Sequence, residues 1–158
     1  MSTKALIITA VVVLVACSPG DSDEPYFEFI GGGFIFNYRL AQADYGFVAR
    51  PVRRIPTGMI IEAVFENPSG GEPFIIRETA KWGRTQYVFR SPPVQGVKAN
   101  RDYQVELRLI DPANQHVIAT YAKTFRSDVD QSILPERPTV IGPGHQPNLP
   151  EKMDQISP

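Results

Sequence analysis

A single cysteine, Cys17, leaves this 158-residue chain unable to close an internal disulfide. Its two histidines, His116 and His145, stand far apart. There is no His-x-x-x-His pair and no Cys/His cluster, so no metal site is expected. No Gly-x-Ser-x-Gly elbow occurs, which removes the commonest hydrolase signal. No apolar run reaches the ~20 residues a membrane-spanning helix needs. Neither sign of charge dominates: 16 basic against 17 acidic residues give a formal net charge of −1. That balance argues against nucleic-acid binding by bulk electrostatics. The expectation is a non-enzymatic protein without a cofactor.

What is present begins at the first residues. Lys4 supplies a short positive segment, and Ala5 to Ala16 then runs without a charge. As a helix this run would rise roughly 18 Å, well short of the ~30 Å hydrocarbon core. A positive start, a short apolar stretch and a small residue before a cut form the pattern of an export signal. The segment Leu14-Val15-Ala16-Cys17 resembles the lipobox of bacterial lipoproteins. That resemblance implies a diacylglyceryl group on the Cys17 thiol and cleavage by signal peptidase II between Ala16 and Cys17. Each buried methylene contributes ~0.8 kcal/mol, so two or three acyl chains anchor firmly where one does not. Lipidation would also remove a free thiol from an oxidising compartment. The residue after Cys17 is Ser18 rather than Asp, which in a Gram-negative host implies the outer membrane, facing the periplasm. Residues 1–16 are thus read as a signal peptide with a helical apolar stretch.

Residues 17–25 read as a lipidated tether, polar and carrying Pro and Gly. From Tyr26 the apolar positions recur with period two. Phe27 and Phe29 share a face, then Phe34, Phe36 and Tyr38 do, with Gly31-Gly32-Gly33 between them as a bulge or corner. A phosphate-cradling loop is the sharper reading of the glycines, but no Gly-Lys-Ser/Thr follows. Leu40 to Tyr45 reads as a helical turn or loop, and Gly46 to Val52 as a strand that Pro51 confines to an edge or an end. Met59 to Asn67 places Met59, Ile61, Ala63 and Phe65 inward and Glu62 and Glu66 outward. Pro73 to Arg77 and Thr85 to Arg90 continue, with a turn at Ala80 to Arg84. The plainest alternation puts Tyr103, Val105, Leu107 and Leu109 inward, and Val117 to Arg126 pairs back on it.

These runs recur every 8–12 residues or so, as the strands of an all-β sandwich do. The expected fold is an antiparallel two-layer β-sandwich of seven or eight strands over residues 26–127. Its last hairpin resembles the end of fibronectin type III and immunoglobulin-like sandwiches, in which a tyrosine near the start of the penultimate strand packs at a corner. Tyr103 occupies that place. Residues 128–158 lose the periodicity and carry Pro135, Pro138, Pro143, Pro147, Pro150 and Pro158. They read as an extended or disordered Pro-rich tail, of which Ile133, Leu134, Val140 and Ile141 could dock one segment.

Two surface features point to ligands. Arg50, Arg53 and Arg54 form the one basic cluster, suited to an anionic glycan or lipid headgroup or to guarding a strand edge. Trp82, the one tryptophan, stands at an expected hairpin tip beside Lys81 and Arg84. It would either stack on a sugar or meet a partner, or fold its ring back over the sheet. Glu62, Glu66, Glu78 and Glu106 could form a glycosidase pair only if two met across a cleft. The functional expectation is a membrane-anchored envelope lipoprotein acting as a binding or assembly module for another envelope protein. The alternative is a glycan- or anion-binding lipoprotein using Trp82, Arg84 and the Arg50–Arg54 cluster.

Overall fold

The structure is a computed structural model and describes residues 24–144 and 146–148. Ala16, Cys17, the rest of the leader and His145 lie outside the described residues. The described chain is an antiparallel two-layer β-sandwich with immunoglobulin-like connectivity. One sheet holds β1 (Phe27–Asn37), β2 (Gln42–Pro51) and β5 (Tyr87–Arg90) in the order β1-β2-β5. The other holds β3 (Ile60–Phe65), β4 (Phe74–Thr79), β6 (Asp102–Ile110) and β7 (Val117–Arg126) in the order β4-β3-β6-β7. A two-residue pair, β8 (Val140–Ile141) with β9 (Gln146–Pro147), lies beyond them.

Alternation places the core between the sheets. Successive side chains of an extended chain point to opposite faces, so every second residue goes inward. Along β6, Tyr103, Val105, Leu107 and Leu109 are fully buried; along β5, Tyr87 and Phe89 are. The core is rich in rings. Tyr45 stacks on Phe34 at 4.6 Å and meets Phe65 edge-on at 5.2 Å, an arrangement their quadrupoles favour.

β1 is one strand with an irregularity rather than two strands. Its register against β2 slips between Phe29 and Gly31, leaving Ile30 unpaired as a bulge. The slip moves the inward positions from odd to even numbers. Phe29 therefore meets Phe47 at 5.0 Å, while Phe34 reaches Tyr45 and Tyr103 on the same side of the sheet. Gly32 is required by space: a Cβ there would lie 2.5 Å from the Phe125 ring. Tyr38, expected to continue this face, lies in the turn and is exposed. β2 starts at Gln42, inside the stretch expected as a helical turn or loop, because Ala43 and Tyr45 are inward positions that a small residue and a tyrosine disguise.

The buried and half-buried tyrosine rings carry hydroxyls that need partners, and loop backbones supply them. The Tyr103 hydroxyl accepts the Lys98 N–H at 2.7 Å, forming the corner that the resemblance implied. Tyr45 donates to the Glu66 carbonyl, Tyr87 accepts the Lys81 N–H at 3.2 Å, and Tyr121 accepts the Tyr26 N–H at 2.8 Å.

The outward faces are laced with charge. Glu62 points outward as expected, yet it is buried, because Arg77 and Arg108 close over it at 2.7 and 3.2 Å. Glu66 is held by Arg101, Glu78 by Arg84 and Glu106 by Arg108. In the other sheet Asp44 is buried beneath Arg90, which grips both its oxygens. The Pro-rich segment begins with order. A 3₁₀ turn, Gln131–Ile133, bonds to Val97, Leu134 packs on the core, and Thr139 donates to the Arg39 carbonyl at 2.9 Å.

Burial, and secondarily the nearby Glu66 charge, raise the Tyr45 hydroxyl well above the ordinary tyrosine range. A raised pKa keeps its stabilisation below the ordinary value and loses it as pH climbs through the alkaline range. The unfolding free energy should therefore fall as pH rises above about 10, by up to ~1.4 kcal/mol per pH unit from this group, read as falling urea midpoints. Tyr45→Phe should be less stable at neutral pH and fall less steeply above it; an equal slope in the two proteins removes the assignment.

Candidate functional site

Antiparallel strands bring their ends to two poles. One pole gathers Tyr26, the loop after β2, the loop between β4 and β5, and the β6–β7 turn. The opposite pole carries the β1–β2 turn and the C-terminal β8–β9 pair, which bonds to Arg39.

At the first pole lies a cleft of about 300 Å³ lined by Pro51, Arg53, Arg54, Ile55, Lys81, Trp82, Gly83, Arg84 and Tyr87. Its two walls are the two connections that cross between the sheets at this pole, from β2 to β3 and from β4 to β5. Pro51 ends β2 and cannot continue the ladder as a donor, so the chain leaves the sheet and presents Arg53 and Arg54. The other wall is the crossover from β4 to β5. Trp82 is thus not at a hairpin tip, since β4 and β5 belong to separate sheets.

The crossover is shaped by one tight turn. Arg84 N–H donates to the Lys81 carbonyl at 3.4 Å, and Gly83 adopts φ +76° in the third position, where glycine is favoured. The turn throws Trp82 outward: 84% of its surface is exposed, so its ring does not fold back over the sheet. The two walls are bonded at their base. Gly58 N–H donates to the Ala80 carbonyl at 3.0 Å, and Ala80 N–H to the Met59 carbonyl at 2.8 Å. The buried Tyr87 supplies the floor, and its hydroxyl fixes Lys81 N–H from below.

The lining contains the cations Arg53, Arg54, Lys81 and Arg84 and no carboxylate. Arg53 lies over the Tyr26 ring with 3.5 Å to its centroid. Arg84 pairs with Glu78 at 3.3 Å, donates to the Gln86 carbonyl at 3.2 Å and approaches the Tyr87 ring at 5.1 Å. Arg54 and Lys81 have no carboxylate partner among the described residues. A chain of nearly balanced charge therefore concentrates positive charge beside an exposed indole. Such a site can take an anion by charge-assisted hydrogen bonds and a flat ring by stacking.

Of the sequence candidates, Arg53, Arg54, Trp82 and Arg84 converge here. Arg50 does not: it stands opposite Glu28 on the β1–β2 ladder and pairs with it. Its outward direction is set by strand alternation, whereas Arg53 and Arg54 follow the strand's end. A larger hollow, about 420 Å³, lies on the outer face of the three-stranded sheet against Gly33, Ile35, Val48 and Val88. Its one charged lining residue, Arg90, is occupied by Asp44, so nothing there orients a polar ligand.

No protein-family model matches this chain, and no curated protein sequence matches it.

Tyr87→Phe should keep the ring packed but leave the Lys81 N–H without its partner. A cost of about 1 kcal/mol follows for a neutral hydrogen bond, read as a lower urea midpoint with unchanged slope. Hydrogen exchange should quicken selectively at Lys81 and the neighbouring turn; uniform quickening across the sandwich contradicts this role.

Proposed function

We propose that this chain is a lipid-anchored protein of the bacterial cell envelope, most simply placed on the outer membrane facing the periplasm in a Gram-negative host. Its sandwich domain binds, without catalysis, an anionic ligand carrying a sugar or similarly flat ring. The single observation that carries the ligand reading is the cleft, where cations from two separate stretches of sequence meet an exposed tryptophan. Arg54 and Lys81 take the negative charge, Arg53 and Arg84 frame it from stacked and paired positions, and Trp82 offers its face. The anchor reading rests on the lipobox resemblance at Leu14 to Cys17.

A second reading is docking of another envelope protein. It is favoured by the apolar outer face of the three-stranded sheet, where Ile30, Ile35 and Val88 are all exposed. Patches of this kind commonly serve association.

The anchor is tested by metabolic labelling with a palmitate analogue. Wild type should take the label and Cys17→Ala should not; the opposite result in either protein ends the lipoprotein assignment. The cleft is tested by calorimetric titration of the purified chain with a soluble phosphorylated or sulfated oligosaccharide. Saturable binding should weaken tenfold or more in Arg54→Gln, because a hydrogen bond to a charged group is worth ~1.5–3 kcal/mol. Trp82→Ala should also bind poorly while keeping its stability within about 0.5 kcal/mol, as expected of an exposed side chain. Binding that survives both substitutions places the ligand elsewhere.

A further inference from the structure

We infer that the cleft pole faces the bilayer and that its anion is the phosphate of a membrane headgroup. Arg54 and Lys81 hold that phosphate, and Trp82 enters the interfacial layer. The inference rests on the anion-binding reading above and names the source of the anion.

Geometry makes this pole the near one. Tyr26, two residues after the start of the described chain, is bonded into the cleft wall. Its N–H donates to the Tyr121 hydroxyl at 2.8 Å, its carbonyl accepts the Val52 N–H at 3.0 Å, and its ring lies under Arg53. Eight residues, Ser18 to Pro25, separate it from Cys17, and eight residues span at most ~29 Å even when fully extended. That limit holds whether Cys17 is acylated or the apolar run of residues 5–16 stays in the lipid. The opposite pole is farther by the length of β1, whose 11 residues measure ~35 Å at strand rise.

Chemistry agrees with the placement. An indole is amphipathic, and tryptophan concentrates where hydrocarbon meets headgroup. Lysine and arginine near an anionic leaflet are attracted to it, while their long stems lie along its apolar border. The remaining charges near Tyr26 work the other way. Asp21, Asp23 and Glu24 on the tether repel an anionic surface at range. Attraction must then come from close contact inside the cleft rather than from the field of the whole domain.

Trp82 is the chain's one tryptophan, so its emission reports this pole alone. The full chain, purified with its anchor, is reconstituted into phosphatidylcholine vesicles with and without phosphatidylglycerol. Both sets carry phosphatidylcholine brominated close to the headgroup as a quencher. The expected result is a blue shift and quenching of Trp82 when phosphatidylglycerol is present. The ratio of seated to unseated cleft should fall about fivefold for each cation removed in Arg54→Gln and Lys81→Gln. Emission that is the same in both lipids, or quenching insensitive to both substitutions, overturns headgroup recognition. A response to a soluble sugar phosphate without any response to vesicles also overturns it, and leaves the anion-binding cleft standing. Silence toward both removes the cleft reading as well. Protection of Trp82 found in native envelope membranes but not in protein-free vesicles assigns the pole to a protein partner and overturns the lipid seat.

Discussion

A tyrosine ring buried for its area brings a hydroxyl that must be satisfied, and in this sandwich loop backbones satisfy it. Three such rings and the half-buried Tyr121 fix the ends of the molecule. Tyr103 holds Lys98, Tyr45 holds Glu66, Tyr87 holds Lys81 and Tyr121 holds Tyr26. No buried side-chain nitrogen or oxygen among the described residues is left without a partner. The core thus does more than exclude water: it sets where each polar loop begins. The cleft inherits its shape from this constraint, because Tyr87 is both its floor and the acceptor that seats Lys81.

Charge follows a different rule on each surface. On the outer face of the four-stranded sheet, arginines and carboxylates alternate across strands and cancel. Arg77 and Arg108 over Glu62 is the most enclosed example. At the cleft pole Arg54 and Lys81 have no carboxylate partner among the described residues, because they come from a loop past a strand end and from a turn rather than from facing ladder positions. Loops free of ladder pairing are where unspent charge can accumulate. The contrast between Arg50, paired on the ladder, and Arg54, four residues on and without a carboxylate partner among the described residues, shows the rule within one short stretch.

Much of the sandwich was legible from alternation alone. β6 follows its apolar period, β7 pairs back on it as expected with a register shift between Leu109 and Ile110, and the inward set of β3 is the one its spacing predicts. Tyr103, the second residue of β6, could be placed at a corner only through the resemblance to fibronectin type III and immunoglobulin-like sandwiches. What failed locally failed for physical reasons. Gln42-Ala43-Asp44 carries no apolar alternation, since its inward residue is small and its outward carboxylate is neutralised by Arg90 from another strand. The β4–β5 connection looked like a hairpin because sheet membership is decided by non-local pairing. Arg53, Arg54, Trp82 and Arg84 each stood out, but about thirty residues separate the two groups, and only the packing of two sheets brings them together. Residue patterns give no hint that Arg50 should part from its neighbours until the register with Glu28 is known.

The fastening of Tyr26 has a mechanical side. Tension on the preceding chain would reach the folded domain at one residue, and that residue is tied to β7 through a phenol, to the end of β2 through an amide and to Arg53 through its ring. Force would spread at once into both sheets rather than peel β1 away from its edge. The same knot supports Arg53 in the cleft lining, so a pull on the tether would bear on the cleft through contacts they share.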